Sequence, residues 1–475
     1  MYNIFNHKPR ALVLAGALAA LLPIASCSLT QIDPVTDPTN PSLESVIVNA
    51  TQAQLNALAV GVEASFRLGH VNNGPKNWVT GELGREVVIL ATNESRWYTE
   101  ILGTRGSLDD NAFYSNAAYN GFARAIRASK IFLASAQATA VVNDAQKKGI
   151  AGFAHTYEAL AKQQMLDLQG DNGIRIDVDN YLKPGKFVSN ADALTNIRQL
   201  LDQAAGELGA AGSSFAFPLS SGYAGFNTPA TFLKFNRAIA ARVALYQKDY
   251  PGARTALTGS FYSPAGPLTV GPKIVFAPTV ANDAGNPYFQ VANGTQTGLV
   301  AVPSNFVTEA EAGDLRLAKA PMRTGPSRTL GGIPSTYEAR VFATQTTPLD
   351  IIRNEELILI SAEVYANTAG KNADAVDDLN VIRTQAGGLT ARAAGTFTQA
   401  SDYIDEILKQ RRYSLFFEGQ RWVDLRRLGR LNANGIVSPG QTIAFATGGN
   451  SAGTFKLFDR LERPFAEKQW DIANP

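Results

Sequence analysis

Three short stretches set aromatic rings beside amide and charged side chains: Trp78 next to Asn77, Trp97-Tyr98 near Asn93 and Arg96, and Tyr288-Phe289 near Asn286 and Gln290. Such groupings suit a sugar, whose ring offers apolar C–H faces rimmed by hydroxyls; an aromatic face covers the first while amide and charged groups take the second. All three lie in Gly- or Asn-containing stretches, not on clean helical stripes. The competing expectation for each ring is that it simply packs. Trp97 and Tyr98 are the leading pair.

Other chemistry finds less support. Of three histidines, His7 lies in the N-terminal leader, and His70 and His155 are too far apart for the short ligand spacing of a zinc helix. His155 sits in an apolar helix and reads as a core or capping residue. There is no G-x-S-x-G elbow and no phosphate loop. Asp109-Asp110 and Asp377-Asp378 are adjacent carboxylates, whereas glycoside hydrolysis needs two carboxyls facing each other across about 5 to 10 Å. Neighbours on a helix point in different directions, and Asp377-Asp378 falls in a helix where exposure to solvent is expected. The expectation is a binding protein without cofactor or metal, not an enzyme. A net charge of +2 with 18% charged residues provides no basic face for nucleic acid.

The N-terminus has the layout of a secretory leader: His7, Lys8 and Arg10, an uncharged run from Ala11 to Ile24, then Ala25 and Ser26 before Cys27. The apolar run is shorter than the roughly 20 residues a spanning helix needs. Ile24-Ala25-Ser26-Cys27 resembles the bacterial lipobox, in which the cysteine receives lipid and becomes the new N-terminus. Cys27 is the chain's one cysteine, so it has no disulfide partner. The expected plan is a signal peptide over 1–26 and a lipidated Cys27 with a Pro-containing tether over 27–41. Ser28 stands where an aspartate would resemble the usual inner-membrane retention signal, which favours the outer membrane.

The remaining chain, 42–475, is expected to form one composite and mainly α-helical body. Leu55, Leu58, Ala59 and Val62 recur at helical spacing, as do Phe122, Ala125, Ile126, Ile131 and Leu133, and the stretches 150–168 and 194–208 behave likewise. Two stretches read as helix–turn–helix units of tetratricopeptide type: 232–246 with 253–257, and 355–368 with 373–386. Between 260 and 348 Gly, Pro, Thr and Asn dominate, and short runs such as Ile274-Val275-Phe276 suggest minor strands in irregular loops. This insertion is either a set of recognition loops or a weakly ordered segment.

The segment 353–428 carries the most specific pattern: Arg353-Asn354-Glu355-Glu356, Ala362-Glu363-Val364-Tyr365, Leu379-Asn380-Val381-Ile382-Arg383, Arg411-Arg412-Tyr413, Phe417-Glu418-Gly419, Arg421-Trp422 and Asp424-Leu425-Arg426-Arg427. In this order and spacing it resembles the SusD/RagB family of outer-membrane nutrient-binding lipoproteins. Gln410 and Ser414 depart from it, standing where the family commonly has acidic residues. The residues themselves read as architecture: Ile404, Leu408, Leu415 and Phe416 on one helix face, Arg411 and Arg412 near Glu418 for ion pairing, Gly419 at a helix end, and Trp422 with Leu425 as an apolar anchor. The resemblance implies tetratricopeptide-like helix pairs forming a scaffold. It also implies a SusC-like TonB-dependent transporter as partner, over which the lipoprotein acts as a lid, and an oligosaccharide or other nutrient as cargo. The alternatives are a peptide-binding member of the same family and a helical-repeat scaffold of the cell envelope that binds only protein.

Overall fold

The computed structural model describes residues 47–103, 107–180, 182–280, 283–431 and 456–475, together with the backbone of two short strands at 437–438 and 441–442. The leader, Cys27 and the tether through Pro41 lie outside the described residues.

The N-terminal half is built on helices, α1 (Gln52–Val71), α2 (Lys76–Leu83), α3 (Phe113–Ala138), α4 (Asp144–Gln169), α5 (Asn190–Gly209), α6 (Pro229–Tyr246) and α7 (Tyr250–Thr258), and apart from the short α2 each packs on the next in the chain. Their starts are written in the sequence. Thr51 and Asn143 each exchange hydrogen bonds with a glutamine three residues on, and Thr228 does so with Thr231 just ahead of Pro229, so the first orphan amides of α1, α4 and α6 are satisfied. Small residues let the helices approach. A methyl on Gly152 of α4 would lie 2.5 Å from Leu208 of α5.

The second helix pair follows in the C-terminal part, with α9 (Asn354–Ala366) and α10 (Asn372–Val381) after the short α8 (Ser304–Thr308). α9 packs against α6, α7, α10 and α11 (Ala400–Ser414). Every residue from Asn354 to Val364 is buried, as expected of a helix enclosed on all sides. Both helix–turn–helix units are therefore present and adjoin each other, and the fold is mainly α with short strands. α12 (Arg421–Arg427) and α13 (Phe465–Ala473) complete it. Among the described residues no helix is long and apolar enough to cross a membrane.

The stretch 260–348 is not a loosely attached insertion. β1 (Val88–Ala91), which the periodicity search missed, pairs antiparallel with β5 (Gly298–Val302), and β5 pairs with β8 (Tyr337–Glu338). The expected short strand at Ile274 exists as β4 (Lys273–Ile274), paired with β9 (Leu349–Asp350). Elsewhere β2 (Ile174–Arg175) pairs with β3 (Phe187–Val188), and β6 (Thr329–Leu330) with β7 (Ile333–Pro334) in a hairpin.

The signature segment is architectural, with partners that differ from the expected ones. Glu418 pairs with Arg353, not with Arg411 or Arg412. Arg411 donates to Asp424 at 2.6 Å, and Arg412 reaches Glu309 at 2.5 Å. Arg427 bridges Asp424 and Glu363, at 2.8 and 2.5 Å. Burial alone would raise the Asp424 carboxyl, but Arg411 and Arg427 hold it below its usual range. Trp422 is fully buried and its indole N–H donates to the Phe458 carbonyl at 2.7 Å, so the anchor role holds. Asp378 corrects another expectation: it is buried, and receives a hydrogen bond from the Tyr262 hydroxyl at 3.1 Å.

Candidate functional site

The side chains of a strand alternate between its two faces, and the sheet thereby separates two apolar clusters. On one face of the β1–β5–β8 sheet Ile89, Val300 and Val302 join the main core. On the other, Val88, Leu90, Leu299 and Ala301 form a small separate cluster with Leu102 and Ile333. Trp97 and Tyr98 open the π-helical turn Trp97–Ile101 just after β1, and they part company there. Trp97 packs into the main core, while Tyr98 lies on the small cluster, with its ring 3.1 Å from where a methyl on Gly331 of the β6–β7 hairpin would stand. The two leading candidates belong to different clusters.

Trp97 exposes 3% of its surface and Tyr288 2%, so hardly any of either ring is available to a ligand. Each supports others instead. Trp97 meets Trp78 edge to face at 5.7 Å and Phe113 at 4.9 Å. Tyr288 lies edge-on to Phe417 at 5.5 Å and beside Phe342 at 5.6 Å, and its hydroxyl accepts from the Asn77 backbone N–H at 3.4 Å. Burial pushes the Tyr288 phenol well above its ordinary range, so it stays neutral. Trp78, Tyr98 and Phe289 are the candidates that keep partly exposed surface.

Trp78 is held in place by its neighbours. It stands on α2, with one end of its indole resting 3.7 Å from the position a methyl on Gly298 would take and its side held by Trp97. On the far side of Trp97 from this contact, Arg96 spans Phe113, with its guanidinium 5.0 Å from the ring centroid, and holds Glu94 at 2.6 Å. The Arg96 hydrogen bond keeps the Glu94 carboxyl below its usual range, so the pair stays charged.

The loops around this surface are held by groups that sequence reasoning did not single out. Arg328 donates to the carbonyls of Leu90, Thr295, Gln296 and Thr297 at 2.7 to 3.1 Å, tying the loop before β5 to the edge strand. Buried Glu338 takes Arg323 at 2.5 Å and the Asn293 backbone N–H at 3.0 Å. The Gln290 amide donates to Val300 and Ala339 and accepts from the Val300 N–H, which makes it a strand spacer instead of a ligand contact. Arg328 carried no usable signal, since its partners are backbone carbonyls. His155 is half-buried and bonds Glu207 at 2.7 Å, away from these aromatics, and among the described residues no cluster of three or more His, Cys, Asp or Glu could hold a metal ion.

Residues 336–469 match the SusD family. The fold is that of solved SusD superfamily proteins: one from Bacteroides thetaiotaomicron VPI-5482 is 17% identical, with a TM-score of 0.68 over 88% of this chain and 98% of that one. A SusD-like carbohydrate binding protein from Bacteroides vulgatus ATCC 8482 is also 17% identical, with a TM-score of 0.60 over 82% of this chain and 86% of that one. Surface glycan-binding protein A from Bacteroides thetaiotaomicron, solved with laminarihexaose, is 15% identical, with a TM-score of 0.63 over 89% of this chain and 98% of that one. No curated protein matches the chain in sequence.

Proposed function

We propose that this SusD-like chain is a non-catalytic lipoprotein of the outer-membrane surface that captures an oligosaccharide and passes it to a SusC-like TonB-dependent transporter. The observation that carries the ligand class is Trp78: a partly exposed indole seated between Trp97 and Gly298, with the Arg96–Glu94 pair immediately preceding Trp97 in the chain. A ring already fixed by its neighbours loses little rotamer freedom when a sugar stacks on it, and the charge pair supplies directional partners for hydroxyls. Tyr98 and Phe289 are the further proposed contacts, with Trp97 and Tyr288 as their supports. The laminarihexaose complex of a protein with this fold supports a glycan cargo.

Anchoring is assigned to Cys27 from the lipobox resemblance, and the tether 28–41 would then lift the body away from the membrane. Lipidation adds about 0.8 kcal/mol per buried methylene, enough for stable attachment when more than one chain is present.

Titration of the purified mature protein against a glycan and peptide panel tests this reading. The expected result is saturable binding of at least one glycan without product release, with Trp78→Ala weakening it about tenfold. Binding confined to peptides would identify a peptide-capturing relative, and capture of a partner protein without any small ligand would identify a scaffold. Release of product from a bound glycan would overturn the non-catalytic assignment.

A further inference from the structure

A cleft of about 350 Å³ opens between α1, α4, the 218–223 turn and the β4–β9 edge. It shares no lining residue with the aromatic surface around Trp78. Its size is that of an ordinary small-molecule site. The walls are largely apolar, contributed by Val60, Phe66, Leu219 and Ile274 among others. Tyr157 and Tyr223 also line the cleft, their hydroxyls 2.5 Å apart.

One carboxyl group in this cleft has no cationic partner among the described residues. Arg67 pairs with Asp283, and Lys273 with Asp350, so those charges close on themselves. Glu63 of α1 lies among the apolar groups, and its carboxylate accepts the Ser220 backbone N–H at 3.1 Å. Among the described residues no cation forms an ion pair with it. Burial raises its proton affinity, and its charge adds to burial in pushing the Tyr157 and Tyr223 hydroxyls up, which places all three groups close together.

We propose that this cleft is a second ligand site, selective for a small organic ammonium compound with a flat apolar body. The Glu63 carboxylate takes the ammonium as a charge-assisted hydrogen bond. The apolar walls enclose the hydrocarbon part. A neutral ligand of the same shape leaves a desolvated carboxylate without a counter-ion, which is the unfavourable arrangement.

Calorimetric titration of the mature chain with 2-phenylethylammonium chloride, and with 2-phenylethanol as the neutral match, tests it. Saturable one-to-one binding of the ammonium, at least tenfold tighter than the alcohol, is expected. Glu63→Gln should remove at least tenfold of that affinity. Ala64→Trp, at an exposed position lining the cleft, should obstruct both probes and serves if Glu63→Gln fails to fold. Equal binding of alcohol and ammonium, no saturable binding by the wild type, or an Ala64→Trp variant that binds as the wild type does would each overturn the proposal. Trp78→Ala should leave the ammonium affinity unchanged, so this site and the glycan site fail or succeed separately.

Discussion

Gly121 of α3 lies directly against Gly69 of α1: a methyl on Gly121 would stand 2.4 Å from the Gly69 backbone nitrogen, and one on Gly69 would stand 2.3 Å from the Phe122 ring. The crossing exists because both helices lack a side chain there. Backbone, unlike the end of a flexible side chain, cannot step aside. Gly121→Ala should therefore destabilise by about 1–3 kcal/mol as an overpacked contact, read as a lowered urea midpoint. An unchanged midpoint would mean that α1 and α3 slide apart without cost.

Trp78 and Trp97 touch but should answer mutation differently. Trp97→Ala empties a buried site and should cost about 3–5 kcal/mol of stability, whereas Trp78→Ala should cost less stability and more glycan affinity. Thermal melts and glycan titrations on the same two variants separate contact from support. If Trp97→Ala loses affinity with its melting temperature intact, the assigned roles are reversed.

Arg427 and Glu363 form a pair in which Glu363 is fully buried. Removing one partner of a buried pair leaves the other charge uncompensated, at roughly 3–5 kcal/mol. Arg427→Met should show that loss in chemical denaturation, and adding Glu363→Gln should recover part of it. A double variant no better than the single would argue that Asp424, the other partner of Arg427, carries most of the effect.

Asp378 links pH to stability. Burial raises its carboxyl to about 6, against the lowering effect of hydrogen bonds from Ser361 and Tyr262. The folded protein thus holds a proton that the unfolded chain releases near the ordinary value of 3.8. The stabilisation is fully present below that value and is lost as pH rises through about 6, amounting to about 3 kcal/mol at most. Asp378→Asn should lack this decline, so the variant gains on the wild type between pH 4 and 7 in denaturant titrations. Parallel curves for the two proteins would show that Asp378 titrates normally.

Much of the body could be read along the chain. The helical stripe at Phe122, Ala125 and Ile126 and the two helix–turn–helix units are local signals, in which a residue's partners lie three or four positions away, although Phe132 takes the buried place expected of Ile131 and Leu133. The order of motifs from Arg353 to Arg427 was equally legible, and it falls within residues 336–469, which match the SusD family. What escaped were relationships across long separations. β1 is four residues long, too short for a periodic signal, and its partner β5 lies more than two hundred residues on. Glu418 finds Arg353 and Arg412 finds Glu309 because helices and loops from different parts of the chain bring them together, while sequence distance favoured a local pair.

The aromatic candidates show the same division. Residue type identified Trp78, Trp97, Tyr98, Tyr288 and Phe289 as groups able to meet a sugar. Which rings keep exposed surface was decided by tertiary packing: Trp97 joins the main core while Tyr98 lies on the small cluster of the β1–β5–β8 sheet, and Tyr288 is closed in by Phe342 and Phe417. Asp378 was exposed by sequence logic and is buried because Tyr262, over a hundred residues away, covers it. Composition and local periodicity determine which elements form, since those interactions close within a few residues. The faces, partners and protonation states of individual side chains depend on desolvation and charge supplied by distant segments, and these exist only once the chain has packed.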